Sequence, residues 1–259
     1  MASQMHSYAE LLADAHTECP TVSGKRVVIT GGTTGIGRAT AILLASEGAN
    51  VFICGRSQEH LDEALQRINL LGNGHGVSCD LAQQGMPEAV LDEAEDQLAG
   101  LDAVIINAAI SAEDLAGTDQ NQIDYQLAVD FTSWIATAKS AVARLQGGGD
   151  LIFIGSTSAV SRNPGSSVYV ATKAGIKGFA QSLREELGEQ DIKVSLVEPG
   201  LTGSDMQYED YSAEQQRELI AGDRMLRAED IAVAVHYVLT QPRRTNVSLV
   251  RVESRLKPE

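Results

Sequence analysis

A tyrosine and a lysine stand four residues apart in Tyr169-Val-Ala-Thr-Lys173, a spacing that puts both on one face of a helix about one turn apart. A free phenol titrates near ~10 and exchanges protons poorly at neutral pH. A fixed ammonium beside it stabilises the phenolate, and proton exchange with an alcohol or carbonyl oxygen becomes practicable. Taken alone, such a pair is common and usually inert. Here a hydroxyl, Ser156, lies thirteen residues earlier, just past the apolar run Leu151-Ile-Phe-Ile154.

A second constellation is the turn Thr30-Gly-Gly-Thr-Thr-Gly-Ile-Gly37. Glycines permit positive φ and let a diphosphate approach the backbone, while a following helix N-terminus offers N–H donors and the positive end of a dipole. The context is right for a dinucleotide, with a strand before, a helix after and another strand about twenty residues on. A Walker-type loop is excluded, because Arg38-Ala39 follows Gly37 instead of Lys-Ser/Thr, and no Gly-x-Ser-x-Gly hydrolase elbow occurs. At the end of the second strand, where an acidic residue would grip ribose hydroxyls and select NAD, the chain has Cys54-Gly55-Arg56. A small residue beside a guanidinium leaves room for a 2′-phosphate and a charge-assisted fork to hold it. NADP is therefore favoured, with NAD still open if Arg56 is only a solvated residue. Asp80, closing the third strand with Leu81 next to it, is placed to reach the adenine.

The elements that must position these groups repeat a simple unit, a short β-branched apolar run followed by a stretch with helical apolar spacing. Strands are expected at Arg26–Thr30, Val51–Cys54, Gly76–Cys79, Asp102–Asn107, Leu151–Ile154, Lys193–Val197 and Asn246–Val252. Helices are expected at 35–48, 57–71, 87–98, 122–145 and 167–187. Strands apolar on both faces imply a parallel sheet covered by helices above and below, a doubly wound α/β fold in one domain. Residues 1–23 precede the domain as an extension, with a short helix expected near 8–16. The segment 201–226 interrupts the rhythm at the carboxyl end of a strand, where open α/β sheets bind ligands, and reads as a lid. Met206, Tyr208, Tyr211 and Met225 are its candidate apolar pocket residues. Glu209 and Asp210 are either a solvated loop or, if they face the pocket, a barrier to anionic substrates.

In this order and spacing, the glycine-rich turn, Asn107-Ala108, Ser156, Tyr169-x-x-x-Lys173 and Pro199-Gly200 resemble the short-chain dehydrogenase/reductase family over about residues 25–245. The resemblance implies a Rossmann-type sheet of about seven strands and an NAD(P)-dependent oxidoreductase acting on a secondary alcohol or its carbonyl. It implies that Tyr169 is the general acid in reduction and the general base in oxidation. Lys173 would lower the phenol's pKa and hold the nicotinamide ribose, and Ser156 would donate to the substrate oxygen. The dinucleotide would contact Gly31, Thr33, Thr34, Gly35, Ile36 and Gly37, then Arg56, Asp80, Leu81, Asn107 and Ala108. Pro199, Gly200, Thr202 and Ser204 would face the carboxamide, Ser204 at a position the family usually fills with Thr.

Three departures qualify the resemblance. Ala109 follows Asn107-Ala108 where the family has Gly. Val129-Asp130-Phe131 stands where Val-Asn-Leu is usual, so the fourth catalytic residue becomes Asp130. An ionised Asp130 would stabilise the Lys173 cation and oppose tyrosinate, which predicts an alkaline optimum for oxidation. Alternatively Asp130 is protonated, or its backbone alone does the work. The family's Asp-Gly-Gly ending is absent, and Arg251–Pro258 is only loosely similar to a branch acting on small hydroxy acids and related alcohols.

Composition sets the outer limits. The 259 residues carry 35 Asp plus Glu against 20 Lys plus Arg, a net charge of −15, which disfavours nucleic acid and anionic membranes as partners. Three widely spaced cysteines suggest free thiols, and no metal site is expected. Cytoplasmic residence is the expectation, since no targeting segment is visible. The family packs two long helices, here 122–145 and 167–187, into four-helix bundles, so a homodimer or homotetramer is expected. Trp134 and Phe179 are candidates for that contact or for the core of one subunit. Against the enzyme stand two alternatives, a non-catalytic dinucleotide sensor and a partner subunit on the same fold.

Overall fold

The computed structural model describes residues 19–111, 114–145, 147–162, 164–207 and 210–257. The helix expected near 8–16 and the lid residues Tyr208 and Glu209 lie outside them. Seven strands form one sheet: β1 (Arg26–Thr30), β2 (Asn50–Gly55), β3 (Asn73–Ser78), β4 (Ala103–Ile106), β5 (Gly149–Ile154), β6 (Ile192–Pro199) and β7 (Leu249–Val252), in the order β3-β2-β1-β4-β5-β6-β7. Every pairing is parallel. Central strands such as Val27-Val-Ile29 and Leu151-Ile-Phe153 are fully buried, as a parallel sheet sandwiched between helices requires.

Alternate residues of each strand feed two cores. One face packs against α1 (Gly35–Ser46), α2 (Gln58–Asn69) and α9 (Ala228–Leu239); the other against α3 (Met86–Leu98), α5 (Ser133–Arg144) and α7 (Ser167–Leu187). Trp134 belongs to the second core. It is wholly buried and stacked on Phe153 at 6.2 Å, which removes it from any surface contact between subunits. At the opposite end of the sheet from the glycine turn, Asp150 is 2% exposed and gathers Lys193 at 3.1 Å, Arg243 at 3.6 Å and Lys25 at 3.7 Å.

Three expectations are modified. β7 starts later than expected, at Leu249 rather than Asn246. β3 starts earlier than expected, at Asn73, because its glycines let Ile68 and the β2 backbone approach where side chains would collide. The expected helix 122–145 is broken. It runs as α4 (Gln120–Leu127), a π-helical turn at Ala128–Thr132, then α5. A π-turn inserts one extra residue into the helical ladder and rotates the side chains after it. The Ser133 hydroxyl donates to the Val129 carbonyl at 2.6 Å inside this turn. Phe131 packs so closely on Gly175 that a Cβ there would lie 2.7 Å from its ring. The segment 201–226 leaves β6, makes a short 3-10 turn at Asp205–Gln207 and the helix α8 (Ala213–Ala221), and returns. Its ends are tied, with Gly203 N–H donating to Leu226 O at 2.8 Å and Leu226 N–H to Leu201 O at 2.9 Å.

Candidate active site

The strand order reverses between β1 and β4, and the crevice beyond the carboxyl ends of the strands at such a reversal is where open α/β sheets bind ligands. Two adjoining chambers of 480 and 400 Å³ open there. Ile36, Asn107, Ala109, Ser204 and Met206 line both, so the chambers form one continuous cleft.

The first chamber is floored by the glycine turn. Gly31 and Gly35 adopt φ of +64° and +51°, a region that other residues enter at a cost. A Cβ on Gly31 would lie 2.7 Å from the Ala108 Cα. Gly31, Thr33, Thr34, Gly35 and Ile36 line the chamber, joined by Arg56, Asp80, Leu81 and Ala108. Gly37 does not. It is buried behind the turn, where a Cβ would meet the Gly31 carbonyl at 2.1 Å, so it lets α1 sit against the loop. Asn107 stitches the turn to β4. Its Nδ2 donates to Thr30 O at 3.1 Å and Gly31 O at 3.0 Å, while its N–H donates to Thr30 Oγ1 at 2.9 Å. A residue the sequence reading passed over, Tyr125 of α4, bridges the far end. Arg56 donates to the Tyr125 hydroxyl at 2.9 Å, and that hydroxyl donates to Asp80 Oδ2 at 3.1 Å. Nothing in its local sequence marks it; only the fold brings α4 over the ends of β2 and β3.

Ser156, Tyr169 and Lys173 converge on the second chamber with Pro199, Gly200, Thr202 and Ser204. Thr157 N–H donates to Pro199 O at 2.9 Å, which keeps the serine segment in line with β6. The Ser156 hydroxyl accepts the Ser158 N–H at 3.0 Å, at the start of the short helix α6 (Ser158–Ser161). Of the lid candidates, Met206, Asp210 and Tyr211 line this chamber. Met225 turns away into the core, 3% exposed and next to Gly203.

Behind the tyrosine lies a buried charge cluster. Lys173 is 2% exposed. Its ammonium lies 3.9 Å from the centre of the Trp134 ring and 5.3 Å from that of Tyr169, and donates to Ile154 O at 3.5 Å. Trp134 is itself fixed by donating its indole N–H to Ala108 O at 2.7 Å. The π-turn carries Asp130 into this cluster, fully buried and outside both chambers. Its Oδ1 accepts the Ile110 N–H at 3.0 Å, and its Oδ2 is a buried oxygen with no hydrogen-bond partner among the described residues.

Burial dominates the titration of all three groups. It pushes the Tyr169 phenol up to about 12, against the neighbouring Ser156 hydroxyl and with the help of the Asp130 charge. It brings Lys173 down to about 8, opposed by Asp130. It raises Asp130 to about 6, opposed first by Lys173. The cluster therefore holds a carboxyl and an ammonium whose charges favour each other, and a phenol that the carboxylate charge opposes, with the phenol facing the cleft.

The sequence profile of the short chain dehydrogenase family matches residues 25–215. Carbonyl reductase family member 4 of Xenopus laevis is 31% identical over 229 residues, which are 87% of this chain and 95% of the relative. Two solved structures align with a TM-score of 0.81: a short chain dehydrogenase from Burkholderia cenocepacia in complex with NADP, at 31% identity over 90% of this chain and 98% of that one, and a dehydrogenase/reductase from Sinorhizobium meliloti, at 32% identity over 90% and 95%. With its seven-stranded parallel sheet and its cleft at the strand reversal, the chain belongs to the short-chain dehydrogenase family, as an oxidoreductase of the carbonyl and alcohol class.

Proposed function

We propose that the protein is an NADP-dependent oxidoreductase that interconverts a neutral secondary alcohol and its carbonyl, with Tyr169 moving the proton. The observation that carries this reading is the convergence of Ser156, Tyr169 and Lys173 on a chamber continuous with the glycine-floored one. The first chamber fits a dinucleotide, since its floor is a loop in which a side chain at Gly31 would strike the Ala108 backbone. Gly31, Thr33, Thr34, Gly35 and Ile36 would hold the diphosphate, Asp80 and Leu81 the adenine, and Asn107, Ala108, Pro199, Gly200, Thr202 and Ser204 the nicotinamide half. Arg56, held by Tyr125, would take the 2′-phosphate. Gly37 supports the loop from behind. When bound, the nicotinamide supplies or accepts the hydride.

The chain's own residues handle the proton and the oxygen. Ser156 donates to the substrate oxygen as charge develops on it, and Tyr169 gives or takes the proton. Lys173 favours the phenolate electrostatically, and Asp130 sets how strongly it does so. Residues 201–226 act as a lid through Met206 and Tyr211. Asp210 in the chamber lining disfavours anionic substrates, which weighs against a hydroxy acid. The bound copy of the Burkholderia relative contains NADP, in keeping with the Arg56 reading. The long helices 120–144 and 167–187 would pair subunits into a dimer or tetramer without Trp134, which light scattering after size-exclusion chromatography would test.

Calorimetric titration with NADPH and with NADH tests the cofactor, and turnover of a panel of neutral ketones and alcohols tests the chemistry. At least tenfold tighter NADPH binding is expected. Tyr169→Phe should lose turnover about a thousandfold while binding NADPH within a few-fold of the parent. Equal affinity for the two cofactors would overturn the NADP assignment. Undiminished turnover in Tyr169→Phe would overturn the role of the phenol.

A further inference from the structure

Two of the three cysteines lie together beneath the adenosine end of the first chamber. Cys54 precedes the last residue of β2 and is wholly buried; Cys79 follows the last residue of β3, is partly exposed and lines the chamber. Both side chains join the same core cluster, so both lie on one face of the sheet. The Cys79 N–H donates to Gly55 O at 2.8 Å, which fixes the two strand ends side by side. Cys19 is exposed and belongs to neither strand.

We propose that Cys54 and Cys79 form a reversible disulfide, an oxidative modification site that takes a hydroperoxide as its oxidant. Cys79 faces the open chamber and meets the oxidant first. The neighbouring Cys54 holds its thiol below the usual range, against burial and the nearby charges of Asp80 and Glu93, while Cys54 is raised by Cys79 and by burial. The Cys79 thiolate attacks one peroxide oxygen, the O–O bond breaks, and a sulfenic acid and hydroxide form. The Cys54 sulfur then displaces the sulfenic oxygen, so the S–S bond forms and the S–O bond breaks. The hydroxide and the displaced oxygen take up the two thiol protons. In sum, two thiols and one hydrogen peroxide give one disulfide and two waters.

The register makes the bond consequential. The partner of Cys54 across the sheet is Val77, so Cys79 lies two residues further along. Disulfide geometry requires the Cα atoms to come close, and closing the bond draws the end of β3 back along β2. Arg56 and Asp80, each within two residues of a bridged cysteine, move with it. This coupling rests on the dinucleotide reading above; the disulfide itself does not.

The test treats the full-length protein with hydrogen peroxide, with and without saturating NADP+, and maps its peptides by mass spectrometry. The expected product is a 54–79 linked peptide, about 2 Da lighter than the sum of its parts and released by dithiothreitol. Cys54→Ala and Cys54→Ser should stop at a sulfenic acid on Cys79 that dimedone traps. Cys79→Ser should leave Cys54 reduced, and Cys19→Ser should behave as the parent does. No 54–79 peptide, a link through Cys19, or direct passage to sulfinic acid overturns the proposal. Bound NADP+ should slow the bridge at least tenfold, and the oxidised protein should bind NADP+ at least tenfold more weakly. If NADP+ binds yet changes nothing, the coupling is overturned. If NADP+ never binds but the bridge forms, the modification site stands and the dinucleotide reading falls.

Discussion

Replacing Asp130 by Asn removes a negative charge from the buried cluster around Lys173 while preserving the side-chain shape and the bond from the Ile110 N–H. Burial holds the Asp130 carboxyl at about 6, so it is an anion above that pH. There it stabilises the Lys173 ammonium and opposes a Tyr169 phenolate, whose pKa it helps push to about 12. A unit charge a side chain's length away, at an effective dielectric of about 20, is worth about 1–2 kcal/mol, or roughly one pH unit. Oxidation of an alcohol requires the phenolate, so its rate rises along the limb set by that pKa. In Asp130→Asn the limb should move about one unit toward acid, and kcat/KM for oxidation at a fixed pH on it should rise about tenfold. Below pH about 6 the parent's Asp130 is itself protonated, and the two profiles should converge.

Stability supplies an independent readout. The folded value of about 6 exceeds the ordinary 3.8, so the carboxyl favours folding most below the ordinary value, and that contribution is lost as pH rises through about 6. The difference corresponds to at most about 3 kcal/mol. The melting midpoint of Asp130→Asn should therefore pull ahead of the parent's between pH about 4 and about 6 and stay ahead above. Superimposed rate limbs, or a limb moved toward alkali, would refute the electrostatic reasoning. A melting advantage that ignores pH would show that packing and not charge is at work.

Four further perturbations probe the rest of the cleft and its frame. Arg56→Ala should weaken NADPH binding at least tenfold and NADH binding less than threefold by calorimetry, and Tyr125→Phe, which removes the hydroxyl gripping Arg56 at 2.9 Å, should weaken NADPH binding about threefold. Gly37→Ala puts a methyl 2.1 Å from the Gly31 carbonyl, so soluble yield and cooperative unfolding should both collapse. Asp150→Ala leaves the buried Lys193 without the carboxylate now 3.1 Å from it, and should cost about 3–5 kcal/mol in urea unfolding. It should spare kcat at temperatures where the variant stays folded, since Asp150 lies at the far end of the sheet.

Much of the architecture is legible in the chain because it depends on local pattern. Runs such as Arg26-Val-Val-Ile-Thr30 and Leu151-Ile-Phe-Ile154 form strands where expected, since residues apolar on both faces have few other ways to be buried. The glycine-rich turn and the Tyr169-to-Lys173 spacing are equally readable, one demanding positive φ and the other helical geometry. What escapes is whatever arises between elements. The π-turn at Ala128–Thr132 leaves no mark in the periodicity of 120–144, because each half is helical by itself and the extra residue is accommodated by packing on α7.

That extra residue decides the chemistry around the lysine. Sequence supplies an aspartate at 130, but only the folded π-turn buries it beside Lys173 and leaves its Oδ2 without a hydrogen-bond partner among the described residues. Trp134 likewise has the composition of a surface anchor or a core residue, and becomes core because α5 lays it over Phe153. Tyr125 acquires its hold on Arg56 from a strand end 69 positions away. Residue type and spacing determine which groups are available and which elements carry them, because those follow from local backbone sterics and apolar periodicity. Their protonation and partners follow from depth and distance, and depth and distance exist only once the sheet has closed around them.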